Sequence, residues 1–234
     1  MTESLSETLG LGPREMVSFV GAGGKSTLLL SLGRELAQDY RVVLTTTTRM
    51  GADQIPSSSA IVDDVDGVTQ ALASGKTGFL IGEIDGPKVI GPPADLVDEL
   101  FANPDLDYLL VEADGARRRA IKAPAEHEPV IPSRTTTVVV VTGLDAVGNR
   151  LDEVAHRPQL VSALTGRGLD QTLTPEDVAT LIGDQSGGLA GVPDESRVVV
   201  ALTNRRRETS MAAESIRETL ENHGRIDRVC VFPG

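Results

Sequence analysis

Short all-apolar runs alternate along this chain with stretches whose apolar residues recur every three or four positions. The first run, Met16 to Val20, meets a glycine-dense turn. A segment follows in which Leu28, Leu29, Leu32, Leu36 and Ala37 share one helical face, which predicts a helix from Ser26 to about Asp39. Arg41 to Leu44 reads as a buried strand and completes a β-α-β unit, which calls for a parallel sheet with a right-handed crossover. Val65 to Ala73 reads as a helix and Gly78 to Gly82 as a short strand. Lys88 to Ile90 looks like a hairpin return after Asp85-Gly86-Pro87, an antiparallel part of the sheet. Ala94 to Phe101 is helical, and Asp107 to Glu112 is a core strand ending in acids.

Beyond Ala116 the pattern breaks into a polar, proline-rich stretch up to Thr135. Its length and composition suit a functional loop. Thr137 to Val141 is again a strand, and Pro158 to Leu164 a helix. Thr174-Pro175-Glu176-Asp177 is a helix start, with a threonine cap, proline in the first turn and acids beside it. After a loop over residues 183–196, Val198 to Leu202, a helix from Thr209 to Asn222 and Val229 to Phe232 form a last strand-helix-strand unit. The expected fold is α/β: one P-loop NTPase-like domain over residues 14–234, with a mostly parallel central sheet and helices on both faces. Residues 1–13 are expected to be a flexible lead-in.

The turn after the first strand carries the chemistry. Gly21-Ala22-Gly23-Gly24-Lys25-Ser26-Thr27 places glycines, a lysine and two hydroxyls between a strand and a helix, as a phosphate cradle requires. Backbone N–H groups approach phosphate oxygens, Lys25 reaches the outer phosphates, and Ser26 can ligand Mg²⁺. The spacing is G-x-x-G-K-S-T, shorter than G-x-x-x-x-G-K-[ST], whose first glycine would fall on Phe19. A dinucleotide fingerprint fails because its third glycine would fall on Ser26. The alternative is a bare glycine-rich turn, which leaves Lys25 and the hydroxyls without a purpose. Parallel α/β sheets gather active groups at the carboxyl ends of their strands, where Thr45 to Thr48, including Thr46 and Thr47, are expected to line the site.

Glu112 and Asp114 end an apolar strand in the Walker-B manner and are expected to share one face, holding Mg²⁺ or orienting an attacking group. The competing reading is an ordinary acidic turn at Asp114-Gly115. Arg117, Arg118, Arg119 and Lys122 follow, and the expectation is that Arg117 and Lys122 meet an anionic second substrate or developing charge. Arg205 to Arg207 occupy a comparable place after a later strand. His127 and Glu128 could serve acid-base or metal chemistry, although a structural loop histidine is the simpler reading. A guanine-reading Asn-Lys-x-Asp would belong at the end of that later strand. Asn204 stands in place as a base-contact candidate, but Arg207 replaces the aspartate, so guanine specificity is unsupported.

Composition narrows the function. The 234 residues carry a net charge of -12, which argues against a nonspecific nucleic-acid binder. No run approaches the roughly twenty apolar residues of a membrane span, and the polar, acidic start does not read as a secretory signal, so the expected compartment is the cytoplasm. A single cysteine, Cys230, excludes an internal disulfide or a cysteine-rich metal cluster. Lysines are confined to Lys25, Lys76, Lys88 and Lys122, and aromatic residues make up 3%. An acidic, lysine-poor chain suits the concentrated-salt cytosol of a halophile.

The motif succession resembles the YqeC family. The glycine loop, Thr45 to Met50, Glu112 to Arg117 and Lys122-Ala123-Pro124 occur in family order. So do His127 to Pro132, Gly143 to Ala146, His156-Arg157-Pro158 and Gly187 to Pro193, covering nearly the whole chain after residue 13. The family is one of P-loop proteins described as accessory factors of selenium-dependent molybdenum hydroxylases. The resemblance therefore implies an ATP- or GTP-binding, Mg²⁺-dependent NTPase or phosphoryl-transfer factor, with a cofactor-like substrate or a hydroxylase subunit as partner. The family's Asn-Gln/Lys-x-Asp-like run ends here in Arg207, which leaves base preference open. The short loop also resembles that of the Mur ligases. Two rivals stand beside this reading: a small-molecule kinase or ligase unrelated to selenium, and a non-hydrolysing, nucleotide-gated delivery module.

The acidic composition has a measurable consequence. Thermal stability, followed by circular dichroism, should rise between low and multimolar KCl; a flat or falling profile would remove the halophilic reading.

Overall fold

The apolar runs Met16 to Val20, Val42 to Leu44, Tyr108 to Val111 and Val138 to Val141 become strands buried along their length, because a parallel strand covered on both faces has no polar side to show. The run Val229 to Phe232, by contrast, is buried only at Cys230. In the computed structural model, which describes residues 3–75 and 77–234, the elements in chain order begin with α1 (Leu5–Leu9), β1 (Glu15–Gly21), α2 (Lys25–Leu36), β2 (Val42–Thr46) and β3 (Arg49–Gly51). Next come β4 (Ala60–Val62), α3 (Val65–Ala73), β5 (Gly78–Leu80), β6 (Glu83–Asp85), β7 (Lys88–Ile90), α4 (Ala94–Phe101) and β8 (Tyr108–Glu112). The rest are β9 (Ile121–Lys122), β10 (Thr137–Gly143), α5 (Leu151–Val154), β11 (Ala155–His156), α6 (Pro158–Thr165), α7 (Pro175–Gly183), β12 (Arg197–Arg205), α8 (Ser210–Glu221) and β13 (Arg228–Pro233).

The chain divides into two compact units. One comprises the chain up to Phe19 with Ser26–Gly115 and Val130–Thr137. The other comprises Val20–Lys25, Ala116–Pro129 and Val138–Gly234.

In the first unit the strand order is β1-β8-β2-β5-β4, and every pairing is parallel. Val17 lies opposite Leu110, and Leu44 opposite the same residue from the other side. Met16, Phe19, Leu29, Leu32, Leu44, Phe79, Leu109 and Leu110 fill this core. The hairpin after Asp85 is antiparallel as expected, but β3, β7 and β6 form a small sheet of their own and do not extend the parallel one.

The lead-in read as flexible contains α1, a short helix closed by a capping box between Ser4 and Glu7. Leu9 is fully buried. The Glu35 carboxylate accepts the Leu5 and Ser6 amides at 2.7 and 2.9 Å, which ties α1 to the last turn of α2. Three polar residues in a row hide such a helix from periodicity, since only Leu9 has an apolar environment to report.

In the second unit β10, β12 and β13 are neighbours in that order, with β12 and β13 parallel. Helices α6, α7 and α8 pack in succession. The threonine cap of α7 forms as predicted, with a reciprocal box between Thr174 and Asp177. Arg167 completes it by pairing with Asp177 at 2.8 Å. The proline-rich stretch is anchored by a two-residue parallel pairing of β9 with β11, Ile121 opposite Ala155 and Lys122 opposite His156.

Leu109 has no exposed surface. Leu109→Ala should lower unfolding stability by about 2–5 kcal/mol in urea titrations. Truncating Met211, which is 86% exposed, should change it by no more than about 0.5 kcal/mol.

Candidate functional site

The site builds from the end of β1. In the second unit, Gly21 has φ +91° and a Cβ there would lie 2.3 Å from the Val141 carbonyl oxygen of β10. At Gly23, φ +84°, a Cβ would meet the Gly143 nitrogen at 2.2 Å. Glycine is therefore required twice, once for each close approach of loop backbone to β10 backbone. The loop is also tied by its own main chain. Ala22 N–H donates to Val141 O at 2.8 Å and Gly23 N–H to Arg119 O at 2.9 Å, while Thr203 donates its hydroxyl to Gly23 O. These bonds absorb the Ala22 and Gly23 amides. The first-turn N–H groups of α2, which follows the loop, have no partner within the helix. Lys25 is buried and folds back, its Nζ donating to Gly21 O at 2.7 Å.

In the first unit, Ser26 donates its hydroxyl to Glu112 Oε2 at 2.6 Å, joining the start of α2 to the end of β8 across 86 residues of sequence. Glu112 and Asp114 are both buried. β8 ends at Glu112, so strand alternation does not itself align Asp114 with it. The backbone continues one ladder bond further, Ala113 N–H to Phe19 O at 3.0 Å. The threonines at the β2 end act through main chain. Thr46 donates to Glu112 O at 2.9 Å and Thr47 to Val130 O at 2.6 Å. Both hydroxyl protons brace neighbouring backbone. Thr27 and Gly24 are exposed and Ser26 half-buried.

Lys122 and Glu128 form an ion pair at 2.7 Å, with the Lys122 side chain 1% exposed. Arg157, in the left-handed region at φ +59°, grips both oxygens of Glu128 at 2.7 and 2.8 Å. Burial alone would raise the Glu128 carboxyl. The hydrogen bonds from Arg157 and Lys122 outweigh it and hold the group down at about 2. The His156 imidazole is pushed below its ordinary value by burial and by the charges of Arg157, Lys122 and Arg117. Lys122 is thus buried and matched by a carboxylate of its own unit. Arg117 is exposed, as are Arg118, Arg119 and His127. Asn204 donates from Nδ2 to Asp145 Oδ1 at 3.0 Å, so its amide is turned toward an acid of the short 3-10 helix Leu144–Ala146 after β10. Glu128, Arg157, Asp145 and Thr203 were given no such partnerships in the sequence reading. The signal available was weak: a polar motif beside each strand end, with nothing local to pair it.

The YqeC family pattern, described as YqeC protein, matches residues 17–159. A curated relative from Escherichia coli (strain K12), named Uncharacterized protein YqeC, is 32% identical over 213 residues, spanning 89% of this chain and 83% of the relative. The chain belongs to the YqeC family. Its phosphate-type loop and the Glu112 strand end both lie within the matched residues, while β12 with Asn204 and Arg205 to Arg207 follows them. Among solved structures, HypB from Helicobacter pylori in complex with nickel shares 9% identity, with a TM-score of 0.40, over 94% of this chain and 79% of that one. That likeness is too loose to bear on what a YqeC protein does.

The Glu128 cluster sets a pH dependence. A carboxyl depressed from 4.5 to about 2 on folding contributes stability above about pH 4.5 that fades as pH falls toward 2. The stability difference between wild type and Glu128→Gln should therefore be full above about pH 5 and shrink steadily below it in urea titrations. Glu128→Ala should cost about 3 kcal/mol at neutral pH.

Proposed function

We propose that this chain binds ATP or GTP with Mg²⁺ and hydrolyses or transfers the γ-phosphate, acting as an accessory factor in the maturation of a selenium-dependent molybdenum hydroxylase or its cofactor. The observation that carries the nucleotide reading is the Ser26–Glu112 hydrogen bond. It joins a hydroxyl at the start of the helix that follows a glycine loop to a buried acid at a strand end. The family resemblance supports the maturation role and supplies the process, while the residues supply the chemistry.

The donor set suits a hard divalent cation: a hydroxyl and a carboxylate in mutual contact, with a second buried carboxyl two residues on. Magnesium takes few protein ligands and prefers oxygen, completing its shell with phosphate and water. Ser26 and Glu112 would hold the ion, with Asp114 in support, and the ion would neutralise charge on the transferring phosphoryl group. Gly24 to Thr27 would receive the phosphates, as amides at a helix start favour anions. Lys25 would exchange its contact with Gly21 O for phosphate oxygen, a trade of a neutral acceptor for a charged one. Arg117 is exposed and positioned on the proposed substrate loop. Lys122, held by Glu128, contributes fixed positive charge and stiffness there.

Calorimetry with ATP, GTP and Mg²⁺ tests the reading. Wild type should bind at least one nucleotide, and Lys25→Ala should weaken that binding by about tenfold or more. Glu112→Gln should reduce Mg²⁺-dependent turnover far more than metal-free nucleotide binding. No binding by wild type defeats the nucleotide claim, and equal effects of Glu112→Gln on both readouts remove its metal role.

A further inference from the structure

A second anion-binding feature lies in the second unit, at the end of β12. Three consecutive arginines, Arg205, Arg206 and Arg207, line a cavity of about 530 Å³ together with Ser210 and Pro233. The volume falls within the range of about 300–1,000 Å³ that small-molecule sites occupy. All three arginines are exposed, and among the described residues none of them makes an ion pair or a side-chain hydrogen bond. The cluster stands out on a chain of net charge -12 with 34 acidic residues, where the exposed Glu208 is its immediate neighbour in sequence. Elsewhere its arginines find acids readily: Arg41 with Asp105 and Asp107, Arg150 with Asp152, Arg167 with Asp177.

Local backbone explains how the cluster is presented. The β12–β13 register shifts between Leu202 and Arg205, with Asn204 in the left-handed region at φ +58°. A bulge of this kind redirects the side chains that follow it. The turn then leads into α8, a twelve-residue helix whose cap, Thr209, makes no side-chain capping bond and whose first turn holds no acid. The Thr209 hydroxyl instead serves the turn, accepting the Arg206 amide at 2.9 Å. The positive end of α8 thus keeps the same sign as the arginines beside it, and Ser210 at its first position also lines the cavity.

We infer that this cavity binds the phosphate or pyrophosphate group of a small molecule. Guanidinium groups match such oxygens bidentately, and three of them neutralise a dianion or trianion without a metal. The site does not rest on the nucleotide reading of the glycine loop and shares no residue with it.

Pyrophosphate is the probe, titrated calorimetrically at low ionic strength into the full chain carrying Lys25→Ala, which disables the glycine loop. This variant should still bind pyrophosphate, with affinity falling as KCl rises. Adding Arg205→Gln, Arg206→Gln and Arg207→Gln should weaken binding by about tenfold or more, with an unchanged melting temperature showing that the fold is intact. Replacing the three by lysine should retain part of the affinity, since charge remains while the planar fork is lost. Equal affinity with and without the glutamines overturns the inference, as does loss of all pyrophosphate binding through Lys25→Ala alone. Capture of a glutamate-rich peptide with no pyrophosphate binding would overturn it too, in favour of an acidic protein partner.

Discussion

The close contact of the Gly21 and Gly23 backbone with β10 is the constraint on which the rest depends. A strand delivers its last residues against a neighbour's carbonyl and amide with no room for a side chain, and the loop's amides bond to that neighbourhood. The course of the loop is therefore set first by main chain, and the Thr203 hydroxyl and the Lys25 ammonium brace its carbonyls at Gly23 and Gly21. A loop held this way keeps its backbone dipoles in fixed directions, which is the condition under which such dipoles act strongly.

This arrangement also accounts for the shortness of the motif. In a longer phosphate loop more amides face the ligand. Here two of them are spent on Val141 and Arg119, and in the proposed reading the phosphates fall to the start of α2, whose first N–H groups have no partner within the helix.

Much of the architecture was legible because it is local and apolar. Met16 to Val20, Tyr108 to Val111 and Val138 to Val141 are runs that only a buried strand explains, and α3 and α4 span the residues their spacing predicted. Ser26 and Glu112 were legible by residue type and by the sheet-edge rule. The partnerships of Glu128 with Lys122 and Arg157, and of Asn204 with Asp145, were not. They join polar residues at strand ends and in loops, where no periodicity reports on the direction of a side chain. The Thr46 and Thr47 hydroxyls show a related limit. Their position at the strand end was right, yet their choice of a backbone acceptor depends on where Glu112 O and Val130 O happen to fall.

The tie between Glu35 and α1 has a mechanical meaning. Glu35 and Ser26 belong to the same helix, about 14 Å apart along its axis. One end of this rod grips the Leu5 and Ser6 amides, and the other carries the hydroxyl that rests on Glu112. A pull on the amino-terminal segment is thereby transmitted as an axial load through a stiff element to the residue that faces the strand-end acid.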